Sequence, residues 1–184
     1  IWYDISGNNR NMTLNNSPSY STNNGGILQF NGTNQTGNLN TMNYSSNSFT
    51  LICSTRYAGS IRGRIVNGRY TNNIYGNHGG RSDRYYAQGW VYQGSTDNDL
   101  NWNIHAFTEN YSSDLRSYYR NNVTLVENST AGVSGFNGLA VGSFLGGTSE
   151  YSDCEVGFIL VYDRVLSRSE LTQTFYHFRD RYGL

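Results

Sequence analysis

Three acidic residues near the end of the chain have the types and spacing closest to those of a catalytic site. Glu150, Asp153 and Glu155 lie just before, or at the start of, an apolar segment. A retaining glycosidase needs two carboxylates about 5–5.5 Å apart, which a strand provides when it presents alternate residues on one face. Asp153 and Glu155 fit that alternation, whereas Glu150 would point away. We therefore expect these acids to pair with arginine or water, and we predict that the chain is not an enzyme.

Metal binding and nucleophilic catalysis have weaker support. His78, His105 and His177 are scattered and have no nucleophile beside them in the sequence, so no catalytic triad is indicated. Asp97 and Asp99 offer closely spaced oxygen ligands, and calcium binds such oxygens in loops. The same Asp-Asn-Asp run is more often a turn held by side-chain hydrogen bonds. Both interpretations of Asp97 and Asp99 stay open.

Charge is distributed unevenly along the chain. Residues 56–90 carry six arginines and one aspartate, and residues 97–155 carry eight acidic residues and two arginines. Tyrosines are interleaved with the arginines, and both residue types are enriched at binding hot spots. This pattern predicts a ligand-binding surface formed by His78, Arg81, Arg84, Tyr85, Tyr86 and Trp90. Alternatively, the two segments neutralise each other locally, or join copies of the chain head to tail in a homo-oligomer.

Length and composition set further limits. The 184 residues suit one domain, spanning 1–184, and all 13 basic residues are arginine with a formal net charge of zero. A neutral chain argues against a nucleic-acid partner, and no apolar run is long enough for a membrane span. The chain opens on Ile1, which suggests a processed form or a piece of a longer protein. Cys53 and Cys154 are either buried thiols or, if their strands are neighbours, a disulfide.

Short strand-like runs separated by turn residues recur along the chain. They cover residues 26–30, 48–54, 61–66, 90–92, 102–107, 115–120, 123–126 and 138–143. Asn67-Gly68 is suited to a tight hairpin turn, and Asn121-Asn122 predicts a second turn, because asparagine tolerates positive φ. Trp102 alternates within its run and is expected in the core. Such runs without intervening helices predict a two-sheet antiparallel β-sandwich.

The C-terminal segment carries the clearest local signals. Residues 156–162 are apolar on both faces, which predicts a central strand. Ser167 and Glu170 have the spacing of a helix capping box. Leu171, Phe175, Phe178 and Tyr182 then recur at helical spacing until Gly183. The predicted fold is therefore all-β, a two-sheet antiparallel jelly-roll sandwich with one short C-terminal helix.

Several runs, in their order along the chain, resemble laminin-G-like and concanavalin-A-like jelly-roll domains of the bacterial and phage type. They are Trp2-x-Asp4-x-Ser6-Gly7-Asn8, Gly25-Gly26-x-Leu28-x-Phe30-Asn31-Gly32-Thr33, Asn72-Asn73-x-x-Gly76-x-His78-Gly79-Gly80, Trp102-x-Ile104-His105-Ala106, Glu150-x-Ser152-Asp153-Cys154-Glu155 and Val161-Tyr162-Asp163-Arg164-x-Leu166-Ser167-x-x-Glu170. The resemblance covers nearly the whole chain. It departs in one place, since Asn121-Asn122 stands where an Asn-Gly turn is usual.

This resemblance implies a non-catalytic recognition module on an extracellular or virion surface. Such domains often bind glycans, and some require calcium. The expected partner is therefore a glycan, or else a protein of the same surface assembly. The alternatives are a capsid-decorating or appendage subunit that acts through protein contacts and, more distantly, a hydrolase that cleaves glycans. Fold alone does not decide between them.

Overall fold

The chain folds as a sandwich of two seven-stranded antiparallel sheets with one short helix near the C-terminus, which confirms the predicted fold class. The computed structural model describes residues 1–94, 99–133 and 135–184. The strands are β1 (Thr13–Asn15), β2 (Ser19–Ser21), β3 (Ile27–Asn31), β4 (Thr36–Asn43), β5 (Phe49–Arg62), β6 (Arg64–Gly68), β7 (Asn73–His78), β8 (Arg81–Ala87), β9 (Trp90–Gln93), β10 (Asn103–Asn110), β11 (Leu115–Arg120), β12 (Val123–Ser129), β13 (Asn137–Val141) and β14 (Ser152–Tyr162).

The strand order defines two sheets, which we call sheet A and sheet B. Sheet A runs β1-β4-β13-β6-β7-β8-β9, and sheet B runs β12-β11-β10-β5-β14-β3-β2. Helix α1 (Arg168–Phe178) follows β14 and continues into a 3-10 turn at Arg179–Tyr182. Within the described ranges, no helix is long and apolar enough to cross a bilayer.

Aromatic rings fill the space between the sheets. The Phe107 ring stacks on Tyr118 with centroids 4.5 Å apart, and Tyr75 and Tyr85 meet Phe107 edge-on at 5.2 and 5.0 Å. Offset and edge-to-face geometries are those that aromatic pairs prefer. His105 also lies here, and burial lowers its pKa to about 3, so the ring is neutral in the core. The side chains on the inner faces of both sheets therefore pack in the core.

A second apolar cluster covers the outer face of sheet B. Helix α1 and the turn after it lie on this face, where Phe178 meets Phe158 at 4.3 Å and Tyr182 meets Trp102 at 4.7 Å. A Cβ at position 157 would come within 2.0 Å of the Tyr182 hydroxyl, which explains the glycine. Strand β14 thus packs on both faces between β5 and β3, as the apolar sequence of residues 156–162 predicted.

Some local predictions were wrong. Asn67 and Gly68 are not a hairpin turn but the last residues of β6, where the buried Asn67 side chain donates to the carbonyl oxygens of Ala140 and Ser143. The predicted strand 61–66 is instead the end of β5 and the start of β6, divided at Gly63, where a Cβ would collide with the Glu150 carbonyl oxygen. Strands β7 and β8 were missed, because their arginines and asparagines mask the alternation.

The two cysteines are free thiols rather than a disulfide. In the β5–β14 register, Cys53 lies opposite Ile159, whereas Cys154 lies opposite Tyr57. Four residues of strand separate the two positions, on the order of 13 Å at the usual rise per residue. A disulfide needs Cα atoms within about 7 Å, so these thiols cannot reach each other without moving the sheet.

The capping box at the start of α1 gives a test of the helix. The Ser167 hydroxyl accepts from the Glu170 backbone N–H, and the Glu170 carboxylate accepts from the Ser167 backbone N–H. Ser167→Ala is expected to lower the free energy of unfolding by about 1 kcal/mol, because it leaves a helix N-terminal donor unpaired. Urea denaturation measures this change. Ser169→Ala, two residues into the same turn, is the control and should shift stability by no more than a few tenths of a kcal/mol. Equal losses in both variants would contradict the assignment.

Candidate functional site

Among the described residues no helix lies over the outer face of sheet A, and the β7–β9 edge of this face gathers most of the predicted binding residues. The registers place Ile74 opposite Tyr86 and Tyr86 opposite Trp90, which aligns the three on one face. His78 pairs with Arg81 where β7 turns into β8. The two hairpins, β7–β8 and β8–β9, thus bring these side chains together.

Trp90 is the centre of this group. Trp90 keeps 39 % of its surface accessible to solvent, whereas large aromatic residues are usually more deeply buried. The Tyr86 ring meets the indole edge-on at 5.1 Å, and the His78 ring lies 6.4 Å away. The Arg84 guanidinium carbon lies 5.4 Å from the indole centroid, within cation–π range. The indole is therefore fixed in orientation while keeping part of its surface open to solvent.

A buried arginine and a partly exposed carboxylate adjoin this aromatic group. Arg64 donates from Nε to Glu150 Oε2 at 2.5 Å, and its guanidinium lies 4.1 Å from the Phe144 ring centroid. His78 Nε2 lies 3.4 Å from the same Glu150 oxygen. Arg64 is only 6 % exposed, whereas the Glu150 side chain is 38 % exposed. The arginine and the histidine thus orient a carboxylate that solvent can still reach. We call Trp90, Tyr86, His78, Arg84 and Glu150 the Trp90 site.

Glu150 reaches this face because the connection from β13 to β14 folds over sheet A. The Leu145 backbone N–H donates to the Asn67 side chain at 3.3 Å, and the Asn38 side chain donates to the Gly146 carbonyl at 3.2 Å. The chain then crosses to sheet B at Ser152. Arg64 and Glu150 were not among the predicted site residues, and a pair 86 positions apart leaves no local signal in one sequence.

Not all predicted binding residues belong to this surface. Tyr85 points inward, is fully buried and donates its hydroxyl to Glu109, so it is part of the core and unavailable to a ligand. Arg81 lies at the hairpin end, half-buried, and donates to the Gly94 carbonyl. Tyr85 and Tyr86 are neighbours in a strand, where successive side chains face opposite sides, so only one of them could face outward.

The predicted calcium site does not assemble from the described residues. Asp97 lies outside the described ranges. The Asp99 carboxylate already accepts from the Ser82 hydroxyl, the Asn101 backbone N–H and the Asn103 amide. Calcium needs six to eight oxygen ligands. Within residues 1–94, 99–133 and 135–184, no three His, Cys, Asp or Glu side chains are grouped to hold a metal ion. Asp99 therefore fits a side-chain-stabilised turn better than a calcium ligand.

The three acids in and before the last strand lie in two separate places. As predicted, Glu150 lies apart from Asp153 and Glu155, which share the outer face of sheet B. Glu155 is buried, and its two oxygens accept from Arg56 Nε at 2.6 Å and from Gln29 Nε2 at 2.8 Å. A carboxylate held by two donors in this way is a structural ion pair. With the Arg64–Glu150 pair, it also shows that the basic and acidic segments partly neutralise each other, as one of the alternatives predicted.

The comparisons with known proteins find similar folds. No family model matches this chain, and no curated protein matches it. Solved structures do, all at low identity. The binding domain of Paraclostridial Mosquitocidal Protein 1 has a TM-score of 0.70 at 16 % identity, and the botulinum neurotoxin serotype D ligand binding domain in complex with N-acetylneuraminic acid has 0.68 at 12 %. The matches cover 94 % and 95 % of this chain but 48 % of each toxin chain.

A third solved structure matches over most of both lengths. Domain 4 of AbnA, an extracellular GH43 arabinanase from Geobacillus stearothermophilus, was solved in complex with arabinotriose. The match covers 91 % of this chain and 90 % of that domain, with a TM-score of 0.64 at 14 % identity. The chain thus spans about half the length of the toxin chains and nearly all of the arabinanase domain. At these identities the matches show the β-sandwich fold that binding domains use.

The proton equilibrium of His78 tests the geometry of the Trp90 site. Burial lowers the pKa of His78, the Glu150 carboxylate raises it, and Arg64 and Arg84 lower it further, with a net shift below the ordinary value. Glu150→Gln should therefore lower the pKa of His78 still more, because it removes the one group that favours the charged ring. An NMR pH titration of the ring protons measures this. Glu127→Gln, on the exposed edge strand β12, is the control and should leave the titration unchanged. An increase in the pKa of His78 in Glu150→Gln would contradict this geometry.

Proposed function

We propose that this chain is a non-catalytic recognition module that binds a glycan on the outer face of sheet A. The observation that carries the proposal is Trp90, an indole partly open to solvent on the outer face of sheet A and surrounded by polar side chains. The exposed part of the indole offers an apolar face that a ligand can cover, with polar groups beside it. A sugar ring suits it, because its C–H face covers the indole while its hydroxyls reach the polar groups around the rim.

The groups around Trp90 match the chemistry of sugar hydroxyls. Each hydroxyl both donates and accepts, and the Glu150 carboxylate and the neutral His78 ring supply an acceptor and a group that can do either. Hydrogen bonds to a charged partner are the stronger kind. Arg64 fixes Glu150 before any ligand arrives, so little conformational entropy is lost on binding. The site is preorganised for a polyhydroxylated ligand.

The comparisons support this class of ligand without naming the sugar. The arabinanase domain matches over nearly its whole length and was solved with arabinotriose. The toxin chains match this chain over only about half of their own length. The N-acetylneuraminic acid in one of those structures therefore carries less weight as a guide to the matching half. We accordingly propose an oligosaccharide ligand, and an extracellular or virion-surface location for the module.

Replacement of Trp90 tests this function. A glycan array on the whole chain should give at least one hit, and Trp90→Ala should weaken that hit by about tenfold or more, because loss of a central aromatic contact costs at least about 1.4 kcal/mol. Tyr176→Ala, which removes an exposed aromatic from α1, is the matched control and should bind as wild type. A chelator should have no effect, since Asp99 is engaged elsewhere.

Absence of binding to every glycan on the array would count against the proposal. A hit that Trp90→Ala leaves unchanged would show that the ligand binds at another place on the molecule. Binding that disappears with the chelator would restore the calcium prediction at Asp97 and Asp99.

A second candidate function is a virion structural subunit that acts through protein contacts. It is favoured by the first five residues, where Ile1, Tyr3 and Ile5 are each more than two-thirds exposed. Exposed apolar clusters are typical of protein interfaces. If the segment mediates self-association, light scattering should give a mass that rises with concentration in wild type and stays monomeric in Ile5→Asn. A constant monomeric mass in both would remove support for self-association through this segment.

A further inference from the structure

A cavity in the described part of the chain lies away from the Trp90 site, at one end of the sandwich. It is an open depression of about 370 Å³, and we call it the polar depression. It is lined by Arg10, Asn43, Tyr44, Asn47, Ser48 and Asp163. The lining comes from three places: the segment before β1, the turn from β4 to β5, and the turn from β14 to α1. Its volume is within the range of about 300–1,000 Å³ that small-molecule sites occupy.

The wall of the polar depression is rigid on one side. The Tyr44 ring packs against Phe49 and Phe136, with centroids 5.6 and 5.3 Å apart. Its backbone N–H donates to the Phe136 carbonyl at 2.8 Å, and its hydroxyl accepts from Arg10 at 3.3 Å. Tyr44 therefore ties the depression to the core between the sheets. The hydrogen bond to Tyr44 links the Arg10 side chain to this wall.

The charged groups of the polar depression are not paired with each other. Asp163 is exposed, and among residues 1–94, 99–133 and 135–184 no side chain forms an ion pair or hydrogen bond with its carboxylate. Within the described ranges the Arg10 side chain makes one hydrogen bond, to Tyr44, and its charge also interacts with the Asp4 carboxylate. A carboxylate and a guanidinium thus face the same open volume with hydrogen-bonding capacity to spare, and their formal charges cancel.

The remaining lining groups are neutral and polar. The Asn43 oxygen accepts from the Ser45 backbone, which leaves its NH₂ group to donate. The Ser48 oxygen accepts from the Tyr111 backbone, which leaves its hydroxyl proton to donate. The amide of Asn47 adds both a donor and an acceptor. Mixed donors and acceptors without net charge disfavour an anion, a cation and a lipid alike, and favour a neutral ligand with several hydroxyls.

We propose that the polar depression is a second carbohydrate site, which holds one neutral sugar unit through Asp163, Arg10 and Asn47. Adjacent hydroxyls of a sugar can donate to the two Asp163 oxygens while the guanidinium of Arg10 donates to a ring or hydroxyl oxygen. The site shares no residue with the Trp90 site and does not depend on it. It also gives a role to the Asp-Arg turn, where the Asp163 carboxylate has no ion pair or side-chain hydrogen bond with the residues that the structure describes.

A residue-resolved NMR titration of the whole chain tests this second site. The probes are glucose, galactose, arabinose, N-acetylglucosamine and arabinotriose. At least one should shift the backbone amides of Asn47, Ser48 and Asp163, with an equal effect in Trp90→Ala. Asp163→Ala should weaken that response by about tenfold or more, because it removes the charge-assisted hydrogen bonds to the sugar. Asn47→Ala should weaken it too, and Asp180→Ala, at an exposed position in the 3-10 turn, should not.

The outcomes separate the two sites. Shifts at the polar depression in wild type that vanish in Asp163→Ala and persist in Trp90→Ala support the second site, whatever happens at Trp90. Shifts confined to Trp90 and its neighbours would overturn it and leave the Trp90 site standing. Absence of any shift at Asn47, Ser48 and Asp163 with all five sugars would also overturn it, as would an unchanged response in Asp163→Ala.

Discussion

The packing of strand β14 on both of its faces determines how the rest of the molecule is arranged. Its inner face contributes Val156 and Cys154 to the core between the sheets, and its outer face receives helix α1. Because the helix covers much of the outer face of sheet B, the outer face of sheet A is the broad surface left for displaying polar and aromatic side chains. The position of the Trp90 site therefore follows from a packing requirement on the opposite sheet.

The connection before β14 links the two sheets in a second way. It passes over sheet A, where Arg64 holds Glu150, before it enters sheet B at Ser152. The same stretch of chain thus completes the Trp90 site and begins the central strand. A buried charge left without its partner is costly, so the Arg64–Glu150 pair holds this crossing in place as well as orienting the carboxylate. In this account, the stability of the fold and the geometry of the site are connected at Glu150.

The sequence predicted what depends on local rules and missed what depends on distant contacts. The capping box at Ser167, the Asn121-Asn122 turn and the buried strand before the helix were all recognisable, because each follows from residues within a few positions. The sequence alone could not show which of Tyr85 and Tyr86 points outward, because that depends on which face of β8 meets the core. The clustering of arginine and tyrosine pointed to the β7–β9 edge of sheet A, where two hairpins bring several of these side chains together, although Glu150 could be placed there only once the fold was known.

The central claim is that a glycan binds at the indole of Trp90, and the three indole N–H signals in a ¹H–¹⁵N NMR spectrum test it directly. Trp102 is buried under the turn after α1, and Trp2 is half-buried beside Met12, so each indole reports on a different surface. On titration with an oligosaccharide identified by the array, the account predicts that the Trp90 signal moves while those of Trp2 and Trp102 stay in place. Movement of the Trp2 or Trp102 signal with Trp90 unchanged would contradict it.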